Sequence, residues 1–274
     1  MILTKRKQAI LNVLKEKKTV TVQELIEQFN VASVTIRRDL IALESSELIK
    51  RTHGEVHLLE DNIIPAFSVR STTNTNSKIA IAEKAAEMIK PNMKILLDSG
   101  TTTLEIAKRI VDKPVTLVTN SLDIAYTLAN SDVSVISCGG MLMSSHMCFL
   151  GPDAEQFISK IEVDLLFLGT TGVRGMNGLT TSSALQYNIK RTMIRAAKRT
   201  YVVFDQSKIG SANIYIFAEF SEITGIVTNR PGENTESYRL LEQLKDAGLD
   251  VIYVDAAENQ YNNSYDIFQT AGSS

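Results

Sequence analysis

The sequence predicts an α/β protein in two parts, a winged helix-turn-helix head and a larger body built on a mostly parallel sheet. Two patterns predict this division: helices followed by a hairpin before residue 58, and alternating strands and helices from residue 76 onward. Charge supports it, because residues 1–58 carry ten Lys and Arg against seven Asp and Glu, a net +3, whereas the remainder has a net −5. A basic head on an acidic body indicates that only the head meets a polyanion.

Composition excludes several classes of protein. With 274 residues and 44% hydrophobic content, the chain is long enough for two domains. No apolar run approaches the ~18–20 residues that cross a bilayer, and the first residues lack the order of a signal peptide, so we expect a cytoplasmic protein. Cys138 and Cys148 form no C-x-x-C pair and have no His at ligand spacing, which predicts reduced core thiols, no metal site and no cofactor.

Two amphipathic helices are predicted to open the head. Apolar residues recur at helical spacing from Lys5 to Lys17. Thr21 is a candidate N-cap for the second helix, with Glu24 three residues later completing a capping box. Asn30 can adopt the left-handed conformation that ends this helix.

The stretch SVTIRRDLIALESSELIKR predicts a third helix with two different faces. Its inner face is apolar, and its outer face carries an arginine: the inner residues are Ile36, Leu40 and Leu43, and the outer ones Val34, Arg38, Ile41 and Ser45. Adjacent arginines near a helix start suit phosphate and guanine contacts. An ordinary solvated helix face is the alternative reading of Arg37 and Arg38 taken alone.

A hairpin after the third helix completes a winged helix-turn-helix pattern. Leu48–Thr52 and Val56–Leu59 flank a turn at Gly54, within reach of a DNA backbone or minor groove. A charge of +3 is modest, so we expect a homo-oligomer, a dimer or tetramer, on a two-part operator. The candidate DNA-binding residues are Thr21, Ser33, Thr35, Arg37, Arg38, Lys50, Arg51 and His53.

A polar stretch over residues 59–75, with Pro65 in it, is predicted as a linker. The body over residues 76–257 then alternates short apolar strands with helices, which indicates a parallel sheet covered on both faces. A polar tail follows at 258–274. The predicted strands are Lys94–Asp98, Val115–Thr119, Val133–Ser137, Asp164–Leu168, Tyr201–Asp205, Gly225–Thr228 and Val251–Val254. The predicted helices are Ile79–Ile89, Leu104–Val111, Asp123–Ala129, Ala154–Lys160, Ala184–Lys198 and Thr235–Ala247.

Small and polar residues gather where five of these strands end, which is where parallel sheets bind ligands. The stretch SGTTT between a strand and a helix offers backbone amides, hydroxyls and a helix N-terminus, an arrangement that suits a phosphate monoester. Neither a Walker A loop nor G-x-G-x-x-G is present. The candidate effector-binding residues are Asp98, Ser99, Gly100, Thr101, Thr102, Thr103, Asn120, Ser121, Gly139, Gly140, Gly169, Thr170, Thr171, Gly172, Asp205 and Lys208.

Two roles stay open for the carboxylates of Asp98 and Asp205. A carboxylate repels phosphate but accepts hydrogen bonds from sugar hydroxyls, so each is a candidate to orient the rest of a ligand. Each is equally a candidate to cap a helix or order its own loop.

The motifs together resemble the DeoR family of bacterial transcription regulators over roughly residues 1–230. TIRRDLIALE followed by LIKRTHG is similar to the DNA-binding domain of that family. K-I-x-x-A-E-x-A, LDSGTTT, TNS, GG, FLGTTGV and DQSK are similar, in order, to its effector domain. The resemblance implies a fold like that of ribose-5-phosphate isomerase and an effector that is a phosphorylated sugar or a related metabolite. The departures from the family pattern are Ala32, Glu47, Glu55 and Gln186.

An enzyme of related fold is the competing hypothesis. The isomerases that this fold resembles carry acidic residues on the loop that corresponds to GTTGV, and here that loop has no carboxylate to act as a base. A transferase would need a nucleophilic Glu, and no candidate stands out. The sequence therefore predicts a DNA-binding repressor of sugar utilisation, without enzymatic activity, that a phosphorylated sugar controls.

Overall fold

The computed structural model describes residues 5–17, 19–44, 49–52, 54–58 and 67–255. The predicted tail lies outside these residues. No helix in the described part of the chain has the length and apolar character needed to cross a membrane.

The head combines three helices with a small antiparallel sheet. Its elements are α1 (Lys5–Lys17), β1 (Thr19–Thr21), α2 (Val22–Phe29), α3 (Ser33–Glu44), β2 (Ile49–Thr52) and β3 (Glu55–Leu58). The predicted hairpin is present as β2 and β3, which turn at Gly54 with φ +92°. β1 pairs with the other side of β3, a strand that the sequence analysis missed because three residues are too short to show a period.

Local signals at α2 have the predicted form. The hydroxyl of Thr21 accepts from the amide of Glu24 at 3.1 Å, and the Glu24 carboxylate accepts from the amide of Thr21 at 2.7 Å. Asn30 ends the helix with φ +47°. The inner residues of α3 are fully buried, and together with Ile10, Leu14 and Leu25 they form the core of the head.

The body is organised around a seven-stranded sheet in which every neighbouring pair is parallel. Its first half contains α4 (Phe67–Thr72), α5 (Thr75–Glu87), β4 (Lys94–Leu97), α6 (Thr101–Lys108), β5 (Thr116–Thr119), α7 (Leu122–Thr127), β6 (Ser134–Ser137), β7 (Met141–Met143), β8 (Cys148–Leu150) and α8 (Pro152–Ile158). Its second half contains β9 (Leu165–Gly169), β10 (Gly172–Val173), β11 (Leu179–Thr181), α9 (Ala184–Arg195), β12 (Thr200–Val203), β13 (Tyr215–Ala218), β14 (Gly225–Asn229), α10 (Glu236–Asp246) and β15 (Asp250–Val254). The sheet order is β15-β14-β12-β9-β4-β5-β6.

The two faces of the sheet bury separate apolar cores. Along β9, Leu165 and Phe167 belong to one core and Leu166 and Leu168 to the other. Alternate side chains of a strand point to opposite faces, and both faces are covered, which explains why this strand reads as a continuous apolar run. The prediction of a mostly parallel α/β body is confirmed.

Two small antiparallel units were not predicted. β7 and β8 form a hairpin, and β10, β11 and β13 form a three-stranded sheet beside the main one. Their strands have two to four residues, which is too few to separate strand from loop in the sequence alone.

The predicted linker is also partly structured. Its second half contains α4 and the start of α5, while residues 59–66 lie outside the described part. Phe67 is buried, and its amide donates to the carbonyl of Ser145 in the β7–β8 hairpin at 3.3 Å. One buried aromatic residue in a polar stretch is a weak sequence signal, so the helix was missed.

Candidate functional site

The outer face of α3 is open to solvent. Arg37 and Arg38 are exposed, and Thr35 is half-buried between the two faces. Val34 and Ile41 are 76% and 53% exposed, which is unusual for large apolar side chains. The face therefore presents cationic and apolar groups side by side.

Two further candidates lie near helix starts. Ser33 is the exposed first residue of α3, and the preceding Ala32 supplies only a backbone carbonyl, which accepts from the amides of Thr35 and Ile36 at 2.8 and 3.3 Å. The hydroxyl of Thr21 is already used in the capping box of α2. Thr21 therefore has a structural role whether or not it also meets DNA.

The wing is tied to α3 by an ion pair. Arg51 donates through Nε to Glu44 at 2.7 Å, and its Nη2 lies 2.6 Å from the same carboxylate oxygen. Arg51 is therefore engaged within the head. His53 and the side chain of Lys50 lie outside the described residues.

A buried ion pair lies at the ends of β4 and β9, where the candidate effector-binding residues Asp98 and Gly169 are found. We call this region the body site. The Nζ of Lys190 lies 2.7 Å from Oδ2 of Asp98, and both side chains are 6% exposed. The same Oδ2 accepts from the amide of Gly169, and Oδ1 accepts from the amide of Gly100 and the hydroxyl of Thr103, each at 3.0 Å. Asp98 therefore joins α9, the end of β9 and the start of α6. Of the two roles open to its carboxylate, orienting a ligand or ordering its own loop, these hydrogen bonds support the second.

The three threonines are the first turn of α6, so the predicted helix start at Leu104 is wrong by three residues. Thr103 is turned inward, with hydrogen bonds to Asp98 and to the carbonyl of Gly100. Thr101 and Thr102 are also buried. The first amides of a helix have no acceptor within it, so the amides of Thr101 to Thr103 form a donor set at this turn. A Cβ at Gly100 would lie 3.0 Å from both Asp98 Oδ1 and Thr103 Oγ1, so glycine suits this packing.

The GTTGV stretch runs from the last residue of β9 through the turn at Thr170 and Thr171 into β10, and the hydroxyls of this turn bond within the stretch and to β11. The hydroxyl of Thr170 donates to the carbonyl of Gly172 at 2.8 Å, and that of Thr171 donates to the carbonyl of Thr180 at 3.0 Å. A Cβ at Gly172 would come within 2.2 Å of the carbonyl oxygen of Ser211. Glycine is therefore required there for close packing.

The ends of β5 and β6 provide polar side chains and glycines that differ in their hydrogen bonding and conformation. Asn120 donates from Nδ2 to the carbonyl of Phe149 at 3.1 Å. Its Oδ1 is buried without a hydrogen-bond partner among the described residues. Ser121 caps α7 by accepting from the amide of Ile124 at 3.3 Å. Gly139 and Gly140 both have positive φ, and they form the turn before β7.

Asp205 orders its own loop. Its Oδ1 accepts from the amide of Ser207 at 3.1 Å, from the hydroxyl of Ser207, and from Nδ2 of Asn74 at 2.8 Å. Asn74 adopts φ +51° at the start of α5, so the α4–α5 turn is held to the end of β12. Lys208 follows on this loop and is half-buried.

Sequence reasoning missed four basic side chains at the site. Lys190, Arg70, Lys78 and His146 come from α9, α4, α5 and the β7–β8 turn. Burial lowers the pKa of Lys78 to about 8, and both Lys208 and Arg70 act in the same direction. Burial, Arg70 and Lys190 lower the pKa of His146 to about 4, so His146 is neutral at pH 7. For Lys190, the only signal in the sequence was its place in a Lys-Arg pair with Arg191 on a predicted helix.

Both cysteines are buried free thiols. Nε2 of Gln186 lies 3.7 Å from Sγ of Cys148, and burial raises the pKa of that thiol. Gln186, one of the four departures from the resembled pattern, thus lies against the site.

Comparison with known families agrees with this architecture. Residues 6–62 match the DeoR-like helix-turn-helix domain, and residues 73–230 match the DeoR C terminal sensor domain. The chain belongs to the DeoR family of transcriptional regulators. As a DeoR-family helix-turn-helix protein, it has DNA as a partner.

Curated relatives of this DeoR-family chain match along most of both sequences. The regulator YulB of Bacillus subtilis (strain 168) is 34% identical over 89% of this chain and 95% of its own. The regulator GlpR of Haloferax volcanii is 32% identical over 92% and 98%. The transcriptional repressor AccR of Agrobacterium fabrum (strain C58) is 33% identical over 88% and 94%.

Similar solved structures cover about half of the chain. Ribose 5-phosphate isomerase A from Methanocaldococcus jannaschii gives a TM-score of 0.38 and 15% identity over 51% of this chain and 56% of that chain. The initiation factor eIF-2B of Pyrococcus horikoshii OT3 gives 0.39 and 16% identity over 56% and 62%.

Proposed function

We propose that this DeoR-family chain represses sugar-utilisation genes and that a phosphorylated sugar controls its binding to DNA. The observation that most supports a phosphorylated effector is the excess of positive charge around the buried first turn of α6. The direction of regulation is supported by relatives named as repressors, among them AccR.

The head binds DNA through the outer face of α3, placed in the major groove. Arg37 and Arg38 supply guanidinium groups for guanine and phosphate, and Thr35 supplies a hydroxyl. The exposed methyl groups of Val34 and Ile41 suit thymine methyls, which are the apolar feature of the major groove. Because the head carries a net charge of only +3, two heads of a homo-oligomer bind one two-part operator.

The charges of the body site match a phosphate monoester. Glu105 also acts on Lys78, but its carboxylate is paired with Lys108 and Arg109. Apart from this set, four cationic side chains and two carboxylates act on one another there: Arg70, Lys78, Lys190, Lys208, Asp98 and Asp205. Their sum is a net +2, and a phosphate monoester carries about −1.5 to −2 at pH 7. The amides of Thr101 to Thr103 have no acceptor within α6, and the helix dipole favours an anion at this end of the helix.

The effector is bound without being converted. Isomerisation needs a carboxylate free to move a proton. Oδ1 and Oδ2 of Asp98 are both engaged, and Oδ1 of Asp205 accepts hydrogen bonds from Asn74 and Ser207. NMR of the protein with pentose and hexose phosphates should show no aldose–ketose exchange. Turnover that disappears in Asp205→Asn would contradict this.

One experiment tests the regulator as a whole. An operator is selected from random DNA with the wild-type protein, and its affinity is measured by fluorescence anisotropy with a panel of sugar phosphates and the matching free sugars. At least one sugar phosphate should lower operator affinity, and the same compound should stabilise the protein by about 2.7 kcal/mol at 100 times its dissociation constant. Equal effects of free sugars and their phosphates would contradict the phosphate assignment.

A further inference from the structure

Two ion pairs join α3 to the rest of the head. The sequence of α3 contains two arginines and two acidic residues, so the helix by itself has no net charge. Nε of Arg6, on α1, lies 2.5 Å from Oδ2 of Asp39. Nη2 of Arg51, on the wing strand β2, lies 2.6 Å from Oε2 of Glu44. Each carboxylate of α3 is therefore neutralised by an arginine from a different element.

The two ion pairs lie on opposite flanks of the outer face of α3. At about 100° per residue, Asp39 lies about 140° to one side of Val34 and Glu44 about 80° to the other. The major groove is about 12 Å wide, so a helix placed in it has a phosphate backbone on each side. Arg6 and Arg51 therefore lie on the sides of α3 that face the two DNA strands when the outer face meets the bases.

The guanidinium of Arg6 keeps most of its donors available. Its side chain is 35% exposed, and Nε is its one atom that is bonded to a described residue. The N–H groups of Nη1 and Nη2 can therefore form the parallel hydrogen bonds that a guanidinium makes with phosphate. The side chain of Asp39 is only 8% exposed, so it holds Arg6 from a fixed position. Such an anchor reduces the side-chain entropy that is lost on binding.

The first turn of α1 is basic in a place where the helix itself disfavours cations. It begins with Lys5, Arg6 and Lys7 and contains no acidic residue. The helix dipole is unfavourable for positive charge at this end. Residues that break a local rule are often found at functional sites. A nearby polyanion gives these cations such a function.

We propose that Arg6 binds a phosphate of the operator backbone and that Asp39 holds it in place for this contact, so that Arg6 and Arg51 contact the two DNA strands on either side of α3. This inference rests on the proposed placement of α3 in the major groove. It adds a DNA contact from α1, an element to which the sequence analysis assigned none. A phosphate contact raises affinity and fixes the orientation of α3 without reading a base.

The test uses the double variant Arg6→Met/Asp39→Asn in the full-length protein. This variant has the net charge of the wild type and no buried carboxylate without a counter-ion, so a loss of binding does not come from the total charge of the head. Operator affinity is measured by fluorescence anisotropy at salt concentrations from about 50 to 200 mM. Loss of one phosphate contact should reduce the slope of log affinity against log salt by about 0.9 for each bound head. The same loss should weaken binding about five- to tenfold for each head near 0.1 M salt.

Lys17→Met is the matched control. Lys17 is an exposed cation at the other end of α1, on the same side of the helix as Arg6 and about 16 Å away along its axis. Its removal should leave the salt slope unchanged. Arg6→Lys should keep the slope and lose part of the affinity, because lysine keeps the charge and lacks the planar fork. An equal reduction of the slope in Lys17→Met would contradict the assignment of the contact to Arg6.

The outcomes separate this inference from the placement of α3 on which it rests. If Arg38→Ala binds the operator as tightly as the wild type, the placement of α3 is wrong and the role of Arg6 is wrong with it. If Arg38→Ala is weakened while the double variant keeps the wild-type affinity and slope, only the role of Arg6 is wrong. Weaker binding by the double variant with the wild-type slope would also overturn the proposal, because the ion pair would then only orient α3.

A measurement on the wild type covers the case in which the double variant does not fold. A methylphosphonate in place of one phosphate removes its charge and one acceptor oxygen. Placed in turn along both operator strands, it should weaken binding on each strand beside the bases that α3 reads. Sensitivity confined to one strand would overturn the proposal.

Discussion

The head and the body use polar side chains in opposite ways. On α3 of the head, Arg37 and Arg38 are exposed to solvent, and no hydrogen bond or ion pair joins their side chains to another described residue. In the body, Asp98 and Lys190 are buried against each other and hold three elements together. A substitution on the outer face of α3 should therefore change DNA binding with little change in stability. A substitution at the body site should change both stability and ligand binding.

The largest expected effect comes from breaking the buried ion pair. Lys190→Met leaves the carboxylate of Asp98 buried without its counter-ion, so the free energy of unfolding should fall by about 3–5 kcal/mol. Urea denaturation followed by circular dichroism measures this. The double variant Asp98→Asn/Lys190→Met should lose less, because it removes both charges.

Arg191→Met is the matched control for Lys190→Met. Arg191 is the next residue on α9, and its ion pair with Glu222 is partly exposed to water. Its loss should cost less than about 1 kcal/mol. If Lys190→Met and Arg191→Met lose the same free energy of unfolding, the buried ion pair stabilises the protein no more than the partly exposed one.

A second effect concerns the dependence of stability on pH. Burial lowers the pKa of Lys78 to about 8 from an ordinary 10.5. Between these values the unfolded chain binds a proton that the folded chain does not, so stability rises with pH through this window and the full cost is present below pH 8. In Lys78→Met this rise should be smaller by about 2–3 kcal/mol between pH 7.5 and 10.

Urea denaturation at pH 7.5 to 10 measures the slope, with Lys84→Met as the control. Lys84 lies on the same helix and pairs with the exposed Glu87, so its removal should keep the wild-type slope. The range stops at pH 10 because the tyrosines of the unfolded chain, with pKa values of about 10, lose most of their protons at higher pH. Parallel curves for wild type and Lys78→Met would show that burial of Lys78 has no such cost.

For the head, Arg38→Ala should weaken operator binding by about 1–3 kcal/mol and leave the melting temperature unchanged. The control is Lys245→Ala, an exposed cation on α10 of the body. Anisotropy titrations at one salt concentration measure both, since salt alone changes DNA affinity strongly. Unchanged affinity in Arg38→Ala would remove α3 as the reading helix.

The smallest expected effect is at Val34. Val34→Ala removes methyl groups that we place against thymine, so affinity should fall by about 1 kcal/mol. Operators with uracil in place of single thymines lack one methyl group each, so they complete a double-mutant cycle with Val34→Ala. One of these replacements should weaken DNA binding by the wild type and leave binding by Val34→Ala nearly unaffected. If every substitution weakens both proteins equally, Val34 does not contact a thymine methyl.

Sequence predictions succeeded where the signal is carried by close neighbours in the chain. The capping box joins Thr21 and Glu24, which are three positions apart, and the apolar strands of the body show their type within four or five residues. The start of α6 was misplaced because threonine has a low helix propensity, and burial in the body outweighs it. The short strands of the β7–β8 hairpin gave no periodic signal.

The sequence by itself therefore determined the order of the elements, the division into head and body, and the strand ends at which polar residues collect. Only the tertiary structure decided which side chains meet there. Lys190 pairs with Asp98 across 92 positions, and Asn74 reaches Asp205 across 131. Helix caps and periodicity depend on contacts within one or two turns, so residues close together in the chain are enough to indicate them. A buried pair forms only where the folded sheet brings two distant segments within hydrogen-bond distance, and no local pattern records that distance.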